Sequence, residues 1–127
     1  MKKALSVALL LGSAFAVQHA QAACDYPVAP GKFPDGNVAS REEIKAAKDQ
    51  VVKYDADMNT YLVCIRSEFD AKLAGQANVT KDQKAEMERM HSQKEDAALA
   101  EVKDVVDRFN EQLKAWKARN AAEKKAS

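Results

Sequence analysis

The most constraining feature is a stretch of about 34 residues, Ser40 to Leu73, with no glycine or proline and a single apolar stripe. Ile44, Ala47, Val51, Tyr54, Met58, Tyr61, Ile65 and Phe69 recur at alternating spacings of three and four, with Leu62 and Leu73 widening the stripe. That period places them on one face of an amphipathic helix. Ser40 followed by Glu43 is a capping box, in which each side chain satisfies a backbone N–H at the helix start. Gly75 and Asn78 supply the stop.

A second periodic stretch follows. Thr80 with Gln83 repeats the capping pattern, and Met87, Met90, His91, Ala97, Ala98, Val102, Val105, Phe109, Leu113 and Trp116 form its stripe. The helix is expected over 80–122, with a frayed tail at 123–127. If the chain folds back at the loop so that facing residue numbers sum to about 153, Ile44 meets Phe109, Val51 meets Val102, and Tyr54 meets Ala98 or Leu99. Tyr61 then meets Met90, His91 and Ser92. The stripes agree in register along most of their length, which predicts an all-α fold: an antiparallel two-helix hairpin of coiled-coil-like packing, 40–74 against 80–122.

Before the helices stand two other segments. Met1-Lys2-Lys3, the apolar run Ala4 to Val17, and Ala20-Gln21-Ala22 have the order of a bacterial secretory signal peptide over 1–22. The expected location is therefore periplasmic or secreted. A lipoprotein signal would end before Cys24, but Gln21 occupies the position where an apolar residue is usual, which argues against lipidation. Taking Lys2 and Lys3 from the 20 basic residues leaves 18 against 19 acidic ones, a net charge of −1. No clustered positive field of the kind nucleic-acid binders carry is implied. No other apolar run reaches membrane-spanning length.

Residues 23–39 hold all three prolines, Pro27, Pro30 and Pro34. They favour extended backbone, and Pro34-Asp35-Gly36 signals a turn. Cys24 and Cys64 are the only cysteines, forty positions apart, a spacing that fits no CxxC redox or zinc pattern. In an exported chain they are most simply one disulfide. The geometry permits it. From Ser40 to Cys64 a helix rises about 36 Å at ~1.5 Å per residue, and sixteen extended residues reach about 53 Å at ~3.3 Å each. The arm is expected to return along the first helix and be tied to it, with Trp116 packing near Phe33 and Pro34.

The chemistry-bearing candidates are few. Met87, Met90 and His91 put two thioethers and an imidazole on one helical face, a soft set suited to copper, although methionine there is ordinary core filler. Glu88, His91 and Glu95 form a weaker zinc-like trio. Tyr54 and Tyr61 read as packing rather than a stacking platform. Lys114, Lys117, Arg119, Lys124 and Lys125 make a basic end suited to a soluble terminus, an anionic lipid or an acidic partner. Asn78-Val79-Thr80 reads as loop and helix cap.

His91 is the only histidine after the signal, and no serine has an evident base partner, so no enzyme and no cofactor are expected. Val52 and Val63, off the main stripe, are with Phe33 and Trp116 the candidate surface for a protein partner or self-association. The leading reading is a non-enzymatic adaptor, chaperone-like or structural protein. The alternative is a periplasmic copper- or zinc-handling protein using Met87, Met90 and His91.

The run Cys24-x-x-Pro27-x-x-Pro30, then Phe33-Pro34-Asp35-Gly36, Ala39-Ser40 and Tyr54 with Tyr61-Leu62-x-Cys64, resembles an uncharacterised group of small exported proteobacterial proteins. The likeness spans about residues 24–65. It implies a Cys24–Cys64 disulfide and an envelope location, and no catalytic residues.

Overall fold

The computed structural model describes residues 24–126; the signal segment expected over 1–22 lies outside them. Two helices, α1 (Arg41–Gly75) and α2 (Lys81–Ala126), pack against each other as a hairpin. Both begin at the boxes read from the sequence. The Glu43 N–H donates to Ser40 Oγ at 3.1 Å while the Ser40 N–H donates to the Glu43 carboxylate at 2.7 Å. The Gln83 N–H donates to Thr80 Oγ1 at 3.2 Å and the Thr80 N–H to Gln83 Oε1 at 3.0 Å. Such reciprocal bonds satisfy donors that a helix start otherwise leaves orphaned. At the other end of α1, the Gln76 N–H reaches back to the Leu73 carbonyl.

The tail differs from the expectation of fraying after 122, since α2 continues to Ala126. Its last residues are strong helix formers with no glycine or proline among them. Arg119 lies 3.6 Å from Glu123 one turn on, and Asn120 donates to the Trp116 carbonyl instead of breaking the helix.

The core has two parts. Near the open end, Ala39, Ile44, Ala47 and Phe109 are buried, with Leu113 and Trp116 packed against them. In the middle, Tyr54, Met58, Ala98 and Val105 are buried, joined by Val51, Tyr61, Leu62 and Val102. The small residues Ala47 and Ala98 let the helix backbones approach, since interaxial distance follows side-chain size at the contact. Fully burying Met58 or Val105 stabilises by roughly 1.5–3 kcal/mol each.

The facing pairs near the open end and the middle agree with the predicted register: Ile44 with Phe109, Tyr54 with Ala98. Toward the loop they do not. His91 stacks on Phe69, centroids 4.4 Å apart and planes 7° from parallel, two turns closer to the loop than Tyr61. The arm accounts for the change, because Tyr61 meets Tyr26 edge-on at 4.8 Å.

Cys24 and Cys64 are joined by a disulfide, Cα atoms 5.7 Å apart, tying the arm to α1. From there the arm runs antiparallel to α1 and parallel to α2. Ala29 and Phe33 pack on the buried clusters, so the arm is part of the core. Two helices alone bury too little surface to stand without such help.

Candidate functional site

Four residues of α2 hold the arm in chain order. Glu101 accepts from the Tyr26 hydroxyl at 2.5 Å. Arg108 donates to the Gly31 carbonyl at 2.9 Å and the Pro30 carbonyl at 3.5 Å, while its guanidinium sits 5.6 Å over the Phe33 ring. Gln112 accepts from the Gly36 N–H at 3.0 Å, and Arg119 donates to the Ala39 carbonyl at 2.7 Å. These positions recur at spacings of seven, four and seven, a polar line beside the apolar stripe. That spacing was the available signal for the arm-binding face, and reading the stripe alone misses it.

The turn at its end is built locally. Asp35 Oδ1 accepts from the Asn37 backbone and side chain, both at 2.9 Å, and the Asp35 carbonyl accepts from Val38 and Ala39. The backbone bond from Asn37, then its side-chain bond, hold the Asp35 carboxyl below the usual carboxylate range. The Pro34-Asp35-Gly36 signal therefore marks the turn correctly.

The arm fills the groove on one side of the hairpin. Apolar residues also reach solvent, on the arm at Val28 and Val38 and on the helices at Val52, Val63 and Leu99. Val52 is 59 % exposed on α1 and Leu99 56 % exposed on α2; the predicted facing places these two at nearly the same level. Val63 is 71 % exposed three turns from Val52, on the same face of α1. Leu99 was not among the residues expected to contribute.

The other two predicted surface residues lie elsewhere. Phe33 is half-buried, edge-on to Phe109 at 5.7 Å, and Trp116 is half-buried against the open-end cluster. Val63 sits ~33 Å along α1 from Arg41 at 1.5 Å per residue, so the four candidates do not form one surface. Trp116 and Phe33 do flank the same buried cluster, as expected.

Met87, Met90 and His91 line one shallow depression of about 100 Å³ with Ile65 and Phe69. His91 is 8 % exposed, whereas Met90 is half exposed and so is not core filler. His91 Nε2 lies 3.1 Å from Glu95 Oε1 without the alignment of a hydrogen bond, and the same oxygen accepts from Arg66 at 3.1 Å. Glu95 is thus a bridge between the helices, and Glu88 pairs instead with Lys84 at 3.8 Å, which separates the zinc-like trio.

Among the described residues, the only cluster of cysteine, histidine or carboxylate groups close enough to share an ion is Cys24, Cys64 and Glu68. Its two sulfurs are bonded to each other and so are not thiolate ligands. The same bond occupies the Cys24 sulfur that a lipid anchor would need. Among the described residues no helix is long and apolar enough to cross a membrane.

Compared with protein-family models, curated proteins and solved structures, the chain shows no match.

Proposed function

We propose that this chain is a non-enzymatic interaction protein of the bacterial envelope, periplasmic or secreted, acting as an adaptor, a chaperone-like protein or a structural piece. One observation carries the reading. The arm is tied down on the hairpin by a disulfide, and the helices still present Val52, Val63 and Leu99 to solvent. Apolar side chains exposed on helices are what partner recognition by helical surfaces uses. The amino-terminal signal pattern and the disulfide support export to an oxidising compartment.

The test is native mass spectrometry of the oxidised protein from its own host, with Val52→Glu and Val63→Glu variants beside it. The expected result is a multimer or a stoichiometric complex that both charge substitutions abolish while helix content stays constant. A bare monomer in all three samples would sink the reading.

A second reading is favoured by the shared depression of Met87, Met90 and His91. There the protein handles a soft metal ion such as Cu(I), with the thioethers and imidazole as ligands. His91→Ala should then abolish copper uptake, and unchanged uptake removes this reading.

A further inference from the structure

The open end of the hairpin combines an apolar floor with unspent positive charge. Two adjoining grooves, of about 690 and 500 Å³, share Arg41 and Trp116 as common walls. Ile44, Phe109, Leu113 and Trp116 form the floor of the larger. Lys45 and Lys48 border it on the α1 side, and Lys117, Arg119 and Lys124 border the smaller groove on the α2 side. Glu42 is the single carboxylate lining either groove.

Most of that charge is unused. Lys45 pairs with Asp49 at 3.6 Å, and Arg119 is engaged by the Ala39 carbonyl and Glu123. Among the described residues Arg41, Lys48, Lys117 and Lys124 enter no ion pair or side-chain hydrogen bond. The indole N–H of Trp116, between the two grooves, is buried with no acceptor. An indole N–H ordinarily finds a partner when buried. Elsewhere Lys53–Asp57, Lys84–Glu88 and Lys103–Asp107 pair along helix faces, and among the described residues Lys72, Lys81 and Lys94 also enter no ion pair. The open end is set apart by four such cations bordering two adjoining apolar-walled grooves.

We propose that this end binds a single-chain anionic amphiphile of the long-chain carboxylate class. The tail covers Leu113 and Trp116 on the floor, and the carboxylate lies by Arg41, the cation common to both grooves, with Lys48 on one side and Lys117 on the other adding longer-range attraction. Both halves of such a ligand are needed by the site. An apolar tail removes the floor from water, and an anion at the rim gains from several cations at once. Nucleic acid fits poorly, because the floor exposes one indole beside aliphatic groups and a buried Phe109 ring rather than successive exposed stacking rings. The proposal is independent of the Val52 and Val63 face and stands or falls separately.

Trp116 is the only tryptophan in the chain, so it reports on its own site. The experiment is a fluorescence titration of the oxidised protein with laurate below its micelle concentration. Dodecyltrimethylammonium and dodecyl maltoside serve as cationic and neutral ligands with the same tail, and vesicles of anionic phospholipid and an acidic peptide as other occupants. Laurate should give a saturable blue shift, with affinity at least about tenfold above either same-tail control, as removal of charge attraction near a partly desolvated rim implies. The exposed pair Lys48→Glu with Lys117→Glu should weaken laurate by about tenfold or more with unchanged circular dichroism, since like charge now meets the anion. Lys81→Glu, at the opposite end of the molecule, should change nothing.

Equal affinity for the neutral amphiphile would overturn the proposal by reducing the site to a greasy surface. So would a shift with vesicles or the peptide in the absence of one with laurate.

Discussion

Gly36 and Gln112 meet where the turn of the arm lies directly against the backbone of α2. The Gly36 N–H donates to Gln112 Oε1 at 3.0 Å, and a Cβ built at Gly36 would stand 2.0 Å from the Gln112 backbone carbonyl oxygen. That oxygen belongs to a helix and cannot swing aside. Gly36 has no positive φ, so what the position requires is room rather than an unusual backbone conformation.

Gly36→Ala should therefore destabilise the protein by at least about 2 kcal/mol, the range for overpacking against rigid backbone. Gly31→Ala, with nothing within 4 Å of the added carbon, should stay within about 0.5 kcal/mol of wild type. Urea unfolding followed by circular dichroism separates the two, and similar midpoints for both variants would contradict the close contact.

Reduction of the Cys24–Cys64 bond, which closes a sequence separation of 40, should cost about 4 kcal/mol in the chain-entropy account. The Cys64→Ser variant should match the reduced wild type in melting temperature and lose sensitivity to reductant. A melting point that reductant leaves unmoved would mean that the bond contributes little.

Stability should also fall at high pH. Burial, then the negative charge of the nearby Glu101 carboxylate, push the Tyr54 hydroxyl up to about 12 from 10.0. Lost hydration, then Glu101, push Tyr26 up as well. A raised folded pKa means that the folded state holds its proton more tightly than the unfolded one. The contribution is complete below pH 10 and disappears as pH climbs through about 12. Absorbance of tyrosinate against pH should show this late titration, and Glu101→Gln should move it earlier. An unshifted curve in that variant would remove Glu101 from the account.

Arg108→Lys keeps the charge but loses the planar fork that reaches the Gly31 carbonyl while lying over Phe33. A loss of about 1–2 kcal/mol is expected, in the range for a charge-assisted hydrogen bond. The readout that distinguishes release of the arm from general loosening is hydrogen exchange. Amides around Gly36 should exchange faster, and those around Met58 should not.

The helices were legible because their signals are local. Ser40 with Glu43 and Thr80 with Gln83 fix two starts, and stripes at helical spacing fix the buried faces. The disulfide was legible because only two cysteines exist and the chain reaches. Tyr61 was assigned to His91, and the pairing failed there because a register extrapolated from two helices omits a third element. The arm claims Tyr61 through Tyr26, and His91 finds Phe69. The extent of α2 was missed for a different reason: Asn120 resembles a stop until its side chain is seen bonding back to Trp116. Leu99 reads from the sequence only as a possible facing partner of Tyr54, because a lone leucine beside a stripe gives no periodic signal of its own, and its exposure emerges only after folding.

The bond between the arm and α1 also decides how the molecule would carry a mechanical load. Tension applied between Cys24 and Ala126 crosses directly from Cys24 to Cys64 and then follows the remainder of α1, the loop and α2. Residues 25–63, which include the turn at Gly36 and two thirds of the first helix, lie outside that force path. Pulling would peel α2 from its neighbours while this bypassed segment stayed slack, a covalently closed ring unable to lengthen until the sulfur bond is reduced.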